Sequence, residues 1–376
     1  MPNVPTDSCD ATTITRGNLS YLSFGGCNYL GLAHHPRVIR AVQTAAEVYG
    51  LSSSASRETT GNARPHAQLE EELTAFCGHE AGLLVPDGYT ANLAALQGLE
   101  SMGIRHALID ERAHASLKDA ARLAGMQIAY FDHLCAEDAH RMIGELDGDC
   151  VILTDSVFTT DGDLAPGQAL LGVLRDHDWL LLDDCHGFAV LGAQGRGFPQ
   201  ASGLQSNQLI VTTTLAKGLG CAGGIVMGPS GPVEAARAHS IAYRCTTPAS
   251  PALVAGGLES LRILKEDRSI HDRLADAISL TRATLRANGI QTHDHGSAIF
   301  AFTIGDLARM REIEQALYEQ SVLLPLMDYP NGPAPMYFRL SVNASHTREQ
   351  IERFGDALHE AIEQTAKKVN TIHEHA

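Results

Sequence analysis

From about residue 80 the chain alternates short apolar runs with stretches whose apolar positions recur every three to four residues. The runs fall at 82–85, 106–110, 127–131, 151–154, 179–183, 209–213 and 224–227, with helical spacing at 92–99, 116–123 and 169–177 between several of them. Strands alternating with helices predict a mostly parallel seven-stranded sheet covered on both faces. Upstream, Val38, Ile39, Ala41, Val42 and Ala45 place a helix over 36–49, and Leu69, Leu73 and Phe76 place another over 66–77. The Ser/Thr/Gly run LSSSASRETTG between them reads as a loop. Residues 1–20 are polar and irregular. A long helical region covers 252–287, and runs at 298–303 and 337–342 with helices at 310–320 and 348–367 predict a smaller α+β domain. The expected division is an N-terminal arm (1–45), a large cofactor-binding domain (46–250), and a linker helix with a C-terminal small domain (251–376).

Composition narrows the function classes. A chain of 376 residues with 44% hydrophobic content is long enough for such a pair of domains. A net charge of -16 argues against nucleic acid or anionic membrane as partner. No run approaches the roughly 18 consecutive apolar residues of a membrane helix, and no basic start precedes an apolar stretch. The 8 cysteines are scattered without a CxxC, so neither a disulfide framework nor a metal site is expected, and a cytoplasmic location is.

Six segments carry candidate chemistry, five of them just after a predicted strand, where ligands bind in open parallel sheets. In TTLAKGLGCAGG, Lys217 sits among Ala216, Gly218 and Gly220, which let a flat ring and a phosphate approach the backbone, with Thr214 as a hydroxyl donor. The segment reads as a Schiff-base lysine or as a solvated glycine-rich loop. In WLLLDDCHG four apolar residues run into Asp183, and an acid ending a buried strand needs a cationic partner. A protonated pyridine nitrogen is one; a metal or a capping role is the alternative. His186 follows three residues later. PDGYTAN places Gly88 and Tyr89 at a helix start suited to an anion. His114, in DERAHASL, either stacks on a ring or is a structural hydrogen-bonder. Thr159 and Asp161, in DSVFTTDGD, belong to the same sheet edge. Arg339, inside the apolar strand of YFRLSVNASH, wants an anion: a substrate carboxylate or a structural ion pair.

In this order the segments resemble the α-oxoamine synthase family over nearly the whole chain, from about residue 21 to about 360. The match is carried by NYLGL, HAQLEEELTAF, DGYTAN, HASL, VFTTDGDLAP, DDCHG, GRG and the lysine signature TLAKGLGCAG. The resemblance implies the pyridoxal-phosphate (PLP) fold type I and a homodimer with active sites at the subunit interface. It implies Lys217 as Schiff-base lysine and acid/base, Asp183 on the pyridine nitrogen, His186 on the ring hydroxyl and His114 stacked on the ring. Gly88 and Tyr89 would offer backbone N–H groups to the phosphate with Thr214 assisting, and Thr159 would lie near the ring. Thr247 would reach the partner subunit's phosphate, and Arg339 and Asn28 would bind substrate. The implied reaction joins a small α-amino acid to an acyl thioester with loss of carbon dioxide, giving an α-amino ketone.

Departures bear on the acyl donor. Gly26 and Cys27 replace the usual residues before NYLGL, Ser54 and Ala55 stand where glycines are common, YRCTTPASP differs from the usual threonine motif, and the arm lacks a basic helix. The donor is therefore acyl-CoA or an acyl-carrier protein. An aminotransferase or aldol-type lyase on the same fold, or a protein that kept the fold without the chemistry, are the competing readings.

Overall fold

The structure, a computed structural model, describes residues 4–329 and 332–373, with side chains described as far as residue 366. The chain packs as two units. One comprises residues 32–158 and 164–268, the other residues 1–31, 159–163 and 269–376.

The first unit is built on a seven-stranded sheet. Its strands lie in the order Ala81–Val85, Gly224–Gly228, Leu209–Thr214, Trp179–Asp183, Cys150–Asp155, His106–Asp110, Gln127–Phe131. Gly224–Gly228 is antiparallel to both neighbours and every other pairing is parallel. The central strands are buried along their whole length except at Trp179, which is half-buried, as a sheet covered on both faces requires. On one face Leu83, Ile109, Leu153, Leu181 and Ile210 meet Ala91, Ala94 and Ala95 of helix Gly88–Ser101 and Leu117 of helix Ala115–Leu123. Each of these leucines and isoleucines contributes about 1.5–3 kcal/mol by leaving water. Helix Pro251–Glu266 packs between helices Pro36–Tyr49 and Arg64–Cys77 in this same unit. Asp267 and Arg268 separate it from helix Ser269–Ala287, so the predicted long helical region is two helices.

The second unit holds two small sheets. Residues 1–20, which read as irregular, instead supply Ser8–Cys9 and Thr13–Arg16 to an antiparallel meander with Leu19–Ser23. Leu19–Ser23 then pairs in parallel with Val322–Leu323. That partner lies some three hundred residues away in sequence, which no local pattern reveals. The other sheet has the order Ile299–Phe302, Tyr337–Ser341, Leu326–Met327.

Candidate active site

Strand ends assemble the site in the first unit. Asp183 is the last residue of Trp179–Asp183, and Asp155, the last of Cys150–Asp155, is paired with it across the ladder. Both are buried, at 4% and 3% exposure. Asp183 Oδ2 accepts from Asn92 Nδ2 at 2.8 Å and Oδ1 accepts from the Cys185 N–H at 3.0 Å. Asp155 accepts the His114 N–H at 2.7 Å. Burial, with the Asp183 charge added to it, pushes the Asp155 carboxyl well above the usual carboxylate range. Of these two adjoining acids, Asp183 has two donors to Asp155's one, so it is the one better equipped to face a cation.

Asn92, fully buried on helix Gly88–Ser101, ties the site together. Its second amide hydrogen goes to Ser116 Oγ at 2.9 Å, and its Oδ1 accepts from Thr212 Oγ1 at 2.5 Å. Ser116 Oγ in turn is 2.7 Å from His114 Nδ1, which also accepts the Ser116 N–H at 3.2 Å. The donors run one way: Thr212 to Asn92, Asn92 to Asp183 and to Ser116, Ser116 to His114. This direction sets the amide orientation and leaves the His114 proton on Nε2. Burial lowers the pKa of His114, so the ring is neutral and able to stack.

The lysine loop follows strand Leu209–Thr214 and closes on itself, with Leu215 N–H to Gly223 O at 2.9 Å and Cys221 N–H to Leu215 O at 3.0 Å. Gly218 lies against the Asp183–Ala189 turn: a Cβ there would stand 2.6 Å from Ala189 Cβ and 2.6 Å from Phe188 O. Only glycine permits that approach, and it brings Lys217 Nζ to 2.7 Å from His186 Nε2. Lys217 is half-buried and His186 is buried.

An anion cradle lies at the start of helix Gly88–Ser101. Asp87 caps it by accepting the Thr90 N–H at 2.7 Å. The Gly88 and Tyr89 N–H groups find no acceptor among the described residues, as the first turn of a helix dictates. A Cβ on Gly88 would stand 2.9 Å from Thr214 Cβ, so the turn sits directly on the end of the lysine strand. The Tyr89 side chain points elsewhere: its hydroxyl donates to Asp119, which raises its pKa to about 12. Thr247 is exposed, in the loop between helices Ile241–Arg244 and Pro251–Glu266.

PLP fits this donor set. Asp183 would hold the ring cation, His114 would face the ring, His186 would meet the ring hydroxyl, and Gly88, Tyr89 and Thr214 would hold the phosphate. Sequence reasoning did not assign Asn92, Ser116, Thr212 or Asp155. Asn92 and Ser116 lie within the DGYTAN and HASL motifs, but their shared role depends on strands and helices far apart in sequence.

The remaining candidates belong to the second unit. Arg339 is buried at 8% exposure, and its Nε donates to the Thr159 carbonyl at 2.6 Å. Among the described residues no carboxylate pairs with it. Its Nη2 lies 4.0 Å from Cys27 Sγ, and the polar groups of Tyr29 and Cys27 raise its pKa against the opposing effect of burial. Asn28 is half-buried in the turn closed by Gly31 N–H to Asn28 O at 2.9 Å.

The sequence profile of class I and II aminotransferases matches residues 20–358. The 8-amino-7-oxononanoate synthase of Thioalkalivibrio sulfidiphilus is 35% identical over 342 residues, which is 90% of this chain and 87% of that protein. The Sphingomonas wittichii serine palmitoyltransferase structure superposes with a TM-score of 0.89 at 27% identity, covering 97% of this chain and 93% of that one. The S. paucimobilis serine palmitoyltransferase, solved with a PLP–myriocin aldimine, gives a TM-score of 0.89 at 26% identity over 96% and 92% of the two chains.

Proposed function

This chain belongs to the class I and II aminotransferase family, within the PLP-dependent α-oxoamine synthases, and from that premise we propose how its residues join an α-amino acid to an acyl thioester. Bound at the site, PLP supplies an aldehyde for amine capture and a ring that spreads the negative charge left when a proton leaves the substrate Cα. The observation that carries the reading is the placement of Lys217 beside His186, with Asp183 fixed by Asn92.

Lys217 would hold the cofactor through its amine and serve as the base that takes the Cα proton. Its Nζ, 2.7 Å from His186 Nε2, is held by that ring. Asp183 would face the ring nitrogen as its countercharge, held in place by the donors from Asn92 and Cys185. Arg339 binds the amino-acid carboxylate. What supports this is a buried guanidinium that meets a carbonyl and a sulfur and, among the described residues, no acid. In the overall change a bond forms between Cα and the acyl carbon, and the C–S bond breaks to release a thiol. The Cα–carboxylate bond then breaks to release carbon dioxide, and a proton returns to Cα.

The reading extends to a cytoplasmic homodimer using acyl-CoA or an acyl-carrier protein. Among the described residues no helix is long and apolar enough to cross a membrane.

The test incubates the PLP-loaded protein with glycine, alanine or serine and an acyl-CoA. Free thiol and carbon dioxide should appear together with one of them, and Lys217→Ala should abolish both along with the yellow cofactor band. Pyridoxamine phosphate formed without thiol release would make the protein an aminotransferase; an aldehyde split from the amino acid would make it a lyase.

A further inference from the structure

A second set of ligand-type side chains lies in the unit that holds Arg339. Asp163 lies just after the turn at 159–161, and His293 and His295 lie in the loop between helix Ser269–Ala287 and strand Ile299–Phe302. Asp163 Oδ1 stands 3.0 Å from His293 Nδ1 and 2.8 Å from His295 Nε2, and the two ring nitrogens are 3.1 Å apart.

These three atoms form a nearly equilateral triangle. Protons alone explain it poorly. If both rings donate to Asp163, their N–H groups crowd each other without attraction. If one ring donates to the other, the carboxylate loses a donor. A metal ion resolves the conflict, because all three lone pairs then point at one centre. With metal–ligand bonds of about 2.0–2.1 Å, the edge of an octahedral face is about 2.9 Å and a tetrahedral edge about 3.4 Å. The observed edges of 2.8, 3.0 and 3.1 Å cluster around the octahedral value.

The backbone presents the triangle rather than meeting it by chance. His293 and His295 both reach Asp163, while Asp294 between them pairs with Arg282 at 2.8 Å. On the other limb Gly162 has φ +83°, and a Cβ there would stand 2.8 Å from Ser297 Oγ and 3.0 Å from Ile299 O. Glycine thus lets the turn press against the segment that follows the histidines. The Asp163 side chain is only 12% exposed, whereas that of His293 is 72% exposed, leaving an open rim.

We propose that Asp163, His293 and His295 bind a divalent transition-metal ion, with the remaining positions filled by water. Two imidazoles and one carboxylate, without a thiolate, select Zn²⁺, Co²⁺, Ni²⁺ or Fe²⁺ over the oxygen-seeking Ca²⁺ and Mg²⁺ or the sulfur-seeking Cu⁺. The ion clips the 159–163 segment, whose Thr159 carbonyl holds Arg339, to the stretch leading into Ile299–Phe302. The inference does not depend on which reaction the enzyme performs.

The experiment strips the holoenzyme with a chelator, then measures Zn²⁺ and Co²⁺ uptake by equilibrium dialysis with elemental analysis. One equivalent should bind, and affinity should fall at least about tenfold in both His293→Ala and Asp163→Asn. The Co²⁺ form should show only weak ligand-field bands. Intense sulfur-to-cobalt absorption would assign the metal to cysteines instead and overturn the proposal. Uptake unchanged in both variants would overturn it too, as would a holoenzyme that binds no more metal than His293→Ala. Because His293 is largely exposed, its removal leaves the fold intact, which circular dichroism checks.

Discussion

Asn92 shows how one buried amide sets the chemistry of two neighbours. Its Nδ2 hydrogens reach Asp183 at 2.8 Å and Ser116 at 2.9 Å, and through Ser116 they select the tautomer of His114. Asp183→Asn removes the countercharge proposed for the ring nitrogen, and kcat/KM should fall by about 10²-fold or more. Asn92→Ala leaves the charge and removes its support, as loss of an outer-shell partner does, so a fall of about 10–100-fold is expected. A pH titration of the cofactor band separates positioning from mere packing. The band's pKa should shift in Asn92→Ala and be restored in part by Asn92→Gln. A band and rate equal to wild type in Asn92→Ala would remove the amide from the machinery. Asp184, next to Asp183, plays a different part. Burial raises its pKa to about 8, and it accepts from Ser156 Oγ at 2.5 Å and from the Phe198 N–H at 3.1 Å, holding the turn that carries His186.

The N-terminal strands and the C-terminal segment depend on each other. The Ser341 N–H donates to Phe24 O at 2.8 Å, the Ala344 N–H to Tyr29 O at 2.8 Å, and Asn343 Nδ2 to Ala11 O at 2.6 Å. His346 closes the set, with Nε2 3.1 Å from Ser23 O, Nδ1 accepting the Asn343 N–H at 3.1 Å, and its ring stacked on Phe24 at 4.7 Å. Burial lowers its pKa from 6.5 to about 4. A histidine whose pKa drops on folding binds its proton more weakly in the native state, so acid favours the unfolded chain. The stability that His346 permits is whole above about 6.5 and is lost as the pH falls through about 4. The gap in urea midpoint between wild type and His346→Gln should therefore narrow between pH 7 and pH 4. A constant gap across that window would mean that the ring titrates normally.

For the whole molecule the proposal concerns assembly. Val48, Leu51 and Ile241 remain 68%, 78% and 67% exposed, all in the unit that carries Thr247. The proposed homodimer should give the holoenzyme a light-scattering mass near twice 40.2 kDa. A monomer at micromolar concentration would end that proposal and, with it, the assignment of Thr247 to a partner's phosphate.

Much of this arrangement is legible in one dimension. The predicted strands 106–110 and 179–183 and the helix 36–49 coincide with those observed, because each carries a continuous apolar run or a helical stripe whose period is local; the edge strand 127–131 coincides too, although only Phe131 in it is buried. Lys217 and Asp183 stand out in the sequence by chemistry that is costly elsewhere, an acid ending an apolar strand and a lysine among glycines, and the fold brings Lys217 beside His186. What no local pattern contained was pairing at a distance. The register that sets Asp155 beside Asp183 depends on strands closing in space, as does the path from Thr212 through Asn92 to His114. The parallel pairing of Leu19–Ser23 with Val322–Leu323 and the meeting of Asp163 with His293 and His295 likewise arise only when remote segments pack. Side-chain periodicity states which face of an element is buried; which other element buries it is decided by the whole chain at once.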